Sequence, residues 1–480
     1  MSRSRYLLKN MSLFTISNMA SKILVFLLVP LYTNVLSEAD YGVVDVMQTT
    51  LLLLVPFLSM NAGEAALRYG IECSDKRGSI LRSGMRHVLR SVGLVAAGCV
   101  SLSLIFTGRP ELRGYFLVFI LLYAADAVYE FMLLYTQGSE KVEIMISGSI
   151  CCTFVTVISN IVLLLVFKAG LYGYLFSQIA AFCISSVLMF VLVGGGKLIK
   201  SSEDAGLKDE MTVYGRGMLL YSTASWANNA IDRYFILFML GAVQNGLYGV
   251  AYKIPAILMV CQRIFAQSFQ MSATKEYREE DSGRFFGELY ELYNAVMLVG
   301  CAMILLCLKP LAYFMFRKGF YGAWIMVPPL LISVIFGALE GYLGSICLAH
   351  KDGKSMGIAT GVGALVNIIL NFVAIRMFGA MGAAFATMIS YFTMFAIARY
   401  LTGKHVALEV NIIRNAIGYV LVLLAGGLTM YLGSRGEDMK GAAAMMYAAD
   451  ALTVAVLALM YRKQFAFVVR RITKRGSAEG

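Results

Sequence analysis

The chain has 480 residues, of which 59% are hydrophobic and 15% charged, with a formal net charge of +12; its mean hydropathy is +0.72. A soluble domain carries about 25% charge, and the deficit here runs the whole length, which excludes a soluble protein and indicates an all-α polytopic membrane protein. The positive balance does not point to nucleic acid, because the basic residues lie in short loops between apolar runs and form no continuous basic face.

Cutting at the polar loops gives fourteen apolar segments, near 10–34, 41–67, 85–107, 114–137, 142–167, 171–193, 213–240, 248–272, 288–308, 322–349, 355–375, 380–400, 411–433 and 441–461. Each is about long enough to cross a roughly 30 Å hydrocarbon core as a helix. The first is too long, and too closely followed by the second, to read as a cleavable signal peptide; no separate soluble domain is expected. Counted by loop, twenty-six Lys and Arg fall on the side of the two termini and nine on the other. The positive-inside rule then predicts that both termini are cytoplasmic.

An internal repeat organises the spans. Aligning Tyr41-Gly42 with Tyr248-Gly249 places FTISNMASK (14–22) opposite YSTASWANN (221–229), and AGLYG at 169–173 matches FGAMG at 378–382 at nearly the same offset. The repeat unit is six helices. An even number of spans sets both copies the same way up, which implies a pseudo-two-fold axis along the membrane normal and a cavity between the halves. The expected organisation is a first lobe at 1–195, a cytoplasmic linker at 196–211, a second lobe at 212–402, and a C-terminal helix pair with a basic tail at 403–480.

Spans one and seven carry matching polar stripes. Ser222, Ser225, Asn229 and Asp232-Arg233 recur at helical spacing in span seven, as do Thr15, Asn18 and Lys22 in span one. The hydroxyls and amides alone could simply join helices by hydrogen bonds. The charges are harder to explain that way, since an embedded cation costs roughly 2.5–3.5 kcal/mol on insertion scales and normally faces water or a partner. Six such cations occur: Lys22, Arg68, Arg216, Arg233, Lys253 and Arg263. They suit an anionic passenger, with Lys22 and Arg233 ranked first, then Arg263 and Lys253. Arg216 is expected to snorkel to the interface, and Arg68 either to snorkel or to form part of a collar at the inner mouth.

Asp45, Glu64, Asp126, Glu130, Asp232 and Glu340 also fall inside apolar spans. A desolvated carboxyl can gain or lose its charge with proton or cation binding, so these are candidates for ion coupling. The plainer reading makes them ion pairs, Asp232 with its neighbour Arg233 and Asp45 with Lys253. Glu130 and Glu340, in spans four and ten, are candidate repeat equivalents.

The remaining signals are negative. The nine Cys form no CxxC pair and suggest neither a metal site nor disulfides. No nucleotide-binding glycine loop occurs. No cofactor and no enzymatic activity are expected.

Three stretches carry a family resemblance: LKNMSLFTISNMASKILVFLLVPLYTNVLSEADYGVVDV at 8–46, EAALRYG at 64–70 and WANNAIDRYFILFMLGAVQNGLYGVAYKI at 226–254. With the fourteen spans, they resemble the oligosaccharide flippases of the multidrug/oligosaccharidyl-lipid/polysaccharide (MOP) exporter superfamily, chiefly through Asp232-Arg233-Tyr234 followed by Gly246-Leu247-Tyr248-Gly249. That resemblance implies two six-helix lobes in a V, alternating access, and a cavity lined by spans one, two, seven and eight. It implies a polyprenyl-diphosphate-linked oligosaccharide as cargo, moved from the inner to the outer leaflet of a bacterial cytoplasmic membrane. H+ or Na+ would be the coupling ion, and other polysaccharide-assembly membrane proteins further partners. Spans thirteen and fourteen would offer a groove for the lipid tail. The alternatives are a lipid II flippase or a multidrug/cation antiporter of the same superfamily, then a membrane-embedded polysaccharide polymerase or acyltransferase. Against the latter two, the chain has no large outer loop and no embedded His.

Overall fold

The computed structural model describes residues 26–106, 108, 110–200, 204–263, 265, 282–350, 352–435 and 441–466, with the backbone alone at 110–112, 220, 221, 224, 225, 228, 229 and 282. Every regular element among them is a helix. One compact unit is Met1–Ala230. Its helices are α1 (Val29–Val35), α2 (Glu38–Leu58), α3 (Ala62–Glu72), α4 (Arg77–Ile105), α5 (Pro110–Gly138), α6 (Val142–Asn160) and α7 (Gly170–Val193), followed by the long α8 (Ala205–Leu240), inside which the division falls. The other unit is Ile231–Gly480. After α8 come α9 (Ala242–Ala251), α10 (255–263), α11 (Ser282–Leu306), α12 (Leu308–Met315), α13 (Val327–Ala349), α14 (Gly353–Phe378), α15 (Ala380–Thr402), α16 (Ile412–Ser434) and α17 (Ala442–Met460).

Eleven described helices are long and apolar enough to cross a membrane; they correspond to expected spans two to six and nine to fourteen. Expected span one lies mostly outside the described residues. Span seven falls in α8, which is 36 residues long but carries Lys208, Asp209, Glu210, Arg216, Asp232 and Arg233.

Two expected spans are not single helices. Span two begins well: the Ser37 hydroxyl accepts from the Asp40 N–H at 3.1 Å while the Asp40 carboxylate accepts from the Ser37 N–H at 3.3 Å, a capping box that starts α2. The helix then stops, because Met60 and Asn61 adopt left-handed backbone at φ 55° and 49°, and α3 starts afresh. The Asn61 side chain holds this turn in place. Its Nδ2 donates to the Gly215 carbonyl at 3.2 Å, and its Oδ1 accepts from Ser222 Oγ at 3.0 Å. Only glycine fits at 215, since a Cβ there would lie 1.9 Å from the Met60 carbonyl oxygen. Span eight is broken too. Helix α9 ends at Ala251, and the chain makes a turn over 252–254 before resuming, since the residue before Pro255 is disfavoured in helical conformation.

The repeat is visible inside each unit. Helix α7 lies against α5 and α6, and α15 lies against α13 and α14, so spans four, five and six have the same mutual arrangement as ten, eleven and twelve. Glycines set the turn into each third helix: Gly170 has φ +53° and Gly379 φ +62°. The charged loops are tied down by local contacts. Asp204 accepts from Lys76 at 2.7 Å and from the Leu207 N–H of α8 at 3.1 Å, and the Lys76 ammonium holds the Asp204 carboxyl below the usual carboxylate range.

Candidate functional site

The second unit holds a developed polar site, built on Asp232-Arg233. Asp232 is buried at 3% exposure, where an unpaired carboxylate would be costly. Its Oδ2 accepts from Tyr248 Oη at 2.5 Å, Tyr252 Oη at 3.4 Å and Thr387 Oγ1 at 3.5 Å. Its Oδ1 accepts from the Arg233 backbone N–H at 2.9 Å and from one guanidinium nitrogen at 3.4 Å. The Arg233 guanidinium carbon lies 4.7 Å over the Tyr252 ring, a cation–π contact. The two tyrosines come from α9 and the turn that follows it, four residues apart and hence on one face; Thr387 comes from α15. The expected Asp232–Arg233 ion pair is therefore present, but it is a single long contact within a cage of hydroxyls.

The other predicted cations are spread out. Lys253 sits half-buried in the turn after α9, and Arg263 is exposed on α10. Arg216 is exposed on α8. Arg68 is exposed on α3, bonded to Glu72 at 3.1 Å and stacked over Tyr214 at 4.7 Å, so its local partners are a surface acid and an aromatic ring. Asn18 and Lys22 lie outside the described residues, as do the side chains of Ser225 and Asn229.

The acids separate into distinct environments. In the first unit Asp45 is buried on α2. Glu64 lies in the first turn of α3 and not in the middle of a span, a consequence of the Asn61 break. Asp126 and Glu130 stand one turn apart on α5, half-buried and exposed respectively. Glu64, Asp126 and Glu130 make no hydrogen bond or ion pair with a described residue, and among the described residues no His, Cys, Asp and Glu are grouped so as to hold a metal. In the second unit Glu340 is buried in α13 at 9% exposure, likewise without a hydrogen-bond partner among the described residues.

Three further features come from the structure. The hydroxyl cage of Tyr248, Tyr252 and Thr387 is one; the tyrosines' spacing of four was its only trace. Glu291 on α11 is another. It is buried at 5% exposure and accepts from Arg414 Nη2 at 2.5 Å, the Asn411 N–H at 2.7 Å and Asn415 Nδ2 at 3.2 Å. Arg414, which counts as a loop cation by sequence, thus fastens α16 to α11. Asp450 is the third: fully buried in α17, it accepts from Thr429 Oγ1 of α16 at 3.0 and 3.1 Å. Its position amid an apolar run was a signal available to sequence reading.

Comparison with known proteins places this architecture. Residues 7–274 match the polysaccharide biosynthesis protein family; the chain belongs to that family. No curated protein matches. Among solved structures, the lipid II flippase MurJ in an inward closed conformation is similar with a TM-score of 0.68 at 14% identity, covering 94% of this chain and 99% of that one. An inward-facing multidrug resistance MATE family transporter of the MOP superfamily gives a TM-score of 0.66 at 11% identity, covering 81% and 97%. A MOP superfamily transporter from Pyrococcus furiosus gives 0.55 at 13% identity, covering 82% and 93%. The protein is a multi-pass membrane protein with the MOP transporter fold.

Proposed function

We propose that this protein flips a polyprenyl-diphosphate-linked oligosaccharide from the inner to the outer leaflet of the cytoplasmic membrane by alternating access. The observation that carries the reading is Arg233, a half-buried guanidinium on an otherwise apolar stretch of helix, where an embedded cation suits an anionic cargo. A guanidinium binds diphosphate oxygens through paired N–H donors, and a lysine supplies a compact point charge. Arg233 and Lys22 are the principal contacts for the diphosphate. Lys253, Arg263 and Arg68 contribute further positive charge along the path, and Asn18, Ser225 and Asn229 provide hydrogen bonds to the glycan. Both termini are cytoplasmic.

The family match favours a polysaccharide precursor. The likeness to a lipid II flippase over nearly the whole chain favours a second reading in which the cargo is lipid II, with the same diphosphate chemistry. Proteoliposomes containing the full chain and a fluorescent polyprenyl-diphosphate oligosaccharide test both. Arg233→Ala and Lys22→Ala are expected to slow flipping at least tenfold, and Arg233→Lys to slow it less because only the fork geometry is lost. Wild-type rates in both alanine variants reject the diphosphate contacts. Faster transport of lipid II than of any oligosaccharide lipid establishes the second reading.

A further inference from the structure

We propose that the seam between α4 and α8 holds the headgroup phosphate of an anionic membrane lipid, bound by Arg90, Lys208 and Arg216 around the His87–Thr212 pair. All five residues belong to the unit Met1–Ala230, and none is among the diphosphate contacts assigned above.

The two helices run side by side in a fixed register. Ser79 Oγ accepts from the Asp204 N–H at 2.9 Å, and His87 Nε2 lies 3.1 Å from Thr212 Oγ1, each pair 125 residues apart. The Thr212 hydroxyl donates its one proton to the Lys208 carbonyl at 2.8 Å, so it accepts from His87, whose hydrogen is therefore on Nε2. Lys208 and Arg216 stand one turn before and one turn after Thr212, and Arg90 stands one turn after His87. All three cations are thus on the helix faces that meet at this hydrogen bond, close enough for each to act on the His87 ring. Arg86 acts on it too, but has partners of its own and is not needed.

The side chains of Arg90, Lys208 and Arg216 make no hydrogen bond or ion pair with a described residue. The nearby acids are otherwise placed: Asp204 holds Lys76 at 2.7 Å, Glu210 bears on Tyr69 of α3, and Asp209 is about 100° round α8 from Lys208. Three converging cations repel one another, and a bound anion relieves that repulsion. Phosphate suits the guanidinium forks and the lysine point charge. The level of the seam favours a lipid as its source. Arg90 is the last charge on α4 and Arg216 the last on α8 before Asp232, with SVGLVAAGCVSLSLI and GMLLYSTASWANNAI beyond them; cations at such a boundary meet lipid headgroups. Leu89, Leu94 and Val213 are exposed close by and offer apolar surface to acyl chains. A phosphate held here joins α4 to the first turns of α8.

The test is binding of phosphatidylglycerol to the full chain in detergent, counted lipid by lipid in native mass spectrometry. The first phosphatidylglycerol is expected to bind at least about tenfold more tightly than phosphatidylcholine, whose phosphate is offset by the choline charge, and glycerol 1-phosphate should not displace it. Arg90→Gln/Arg216→Gln should weaken that first site about tenfold, since two interfacial cations are worth at least that much. Arg90→Lys/Arg216→Lys should keep it within about threefold. Lys208→Gln alone repeats the comparison with a single change and should lose about threefold. Arg462→Gln/Lys463→Gln, at two exposed cations outside the seam, should leave it unchanged. The proposal is overturned if phosphatidylcholine binds as tightly, if the Arg462/Lys463 variant loses as much as the seam variant, or if glycerol 1-phosphate displaces the lipid and so makes the seam a site for free phosphate. Polyprenyl diphosphate bound in preference to phosphatidylglycerol, with the same loss in the seam variant, would assign these cations to the cargo's path and overturn it as well.

Discussion

Gly170 and Gly379 occupy the same place in two copies of one turn: each has a positive φ, +53° and +62°, and each directly precedes or opens the helix that packs back on the two before it. Three residues on, Gly173 and Gly382 face that preceding chain. The repeat read from AGLYG and FGAMG is thus a repeat of backbone geometry, in which a left-handed turn delivers a glycine to a close helix crossing. The two crossings differ in tightness. A Cβ at Gly382 would meet the Ala374 carbonyl oxygen at 2.0 Å, whereas one at Gly173 would meet Ala169 Cβ at 3.0 Å and the Leu163 carbonyl oxygen at 3.2 Å.

That difference predicts unequal tolerance. Gly382→Ala must move backbone and is expected to cost about 3 kcal/mol, at the upper end of overpacking effects. Gly173→Ala needs a shift of a few tenths of an ångström and should cost about 1 kcal/mol or less. Thermal denaturation of the purified chain in detergent measures both, and equal losses would show that the crossings are equally tight.

Glu291 and Arg414 predict a second asymmetry. Their side chains are 6% and 23% exposed, and Arg414 has further company. It lies 5.0 Å over the Tyr461 ring, and Gln464, with its amide oriented to suit its neighbours, accepts from it at 2.8 Å. Arg414→Met strands a buried carboxylate and should cost about 3–5 kcal/mol. Glu291→Gln leaves the half-buried guanidinium with the Tyr461 ring and the Gln464 amide and should cost less. The order of the two melting temperatures is the check, and a reversed order would place the electrostatic weight on Arg414.

How much of this was legible depended on range. The spans were legible because about twenty apolar residues in a row are a local signal, and Arg233 was legible as a charge interrupting one. The break at Met60-Asn61 was not. The surrounding residues are small or apolar and compatible with continuous helix, and the turn is fixed by Gly215 and Ser222, more than 150 residues away. Tyrosines are common throughout membrane proteins, so Tyr248 and Tyr252 gained meaning only when folding brought Thr387 and Asp232 to them. Glu291, near a span's end and next to Glu288 in helical register, reads as a boundary residue until Arg414 arrives from the far side of the chain.

Outside the spans, Asp352 gives a prediction about acid. Its carboxylate accepts from the Ser355 hydroxyl at 2.6 Å and lies 2.7 Å from His405 Nε2. The Ser355 hydroxyl first, and His405 next, hold its pKa down at about 2, against roughly 3.9 when unfolded. A depressed folded pKa stabilises fully above the unfolded value and is lost as pH falls through the folded one. Asp352→Asn imitates the protonated form, so its melting temperature should lie below wild type at pH 6, approach it from about pH 4 downward, and meet it near pH 2. Convergence already complete at pH 5 would mean that the carboxylate is not held low by these partners.

Energy coupling is the remaining question, and Glu130 and Glu340 are the residues on which it turns. Each lies on the helix, α5 or α13, that packs against the third member of its repeated trio, and neither has a hydrogen-bond or ion-pair partner among the described residues. Their settings differ, with Glu130 exposed and Glu340 buried. A buried carboxyl with no ion pair among the described residues is the kind of group whose charge follows proton or sodium binding, which makes Glu340 the better coupling candidate, with Asp126 and Glu64 next. In proteoliposomes with an imposed proton or sodium gradient, flipping by wild type is expected to accelerate several-fold for one of the two ions. Glu340→Gln should remove the acceleration while leaving the rate without a gradient nearly unchanged, and Glu130→Gln should have the smaller effect. If neither gradient alters the wild-type rate or the final distribution between leaflets, transport is uncoupled and both carboxyls serve the structure alone.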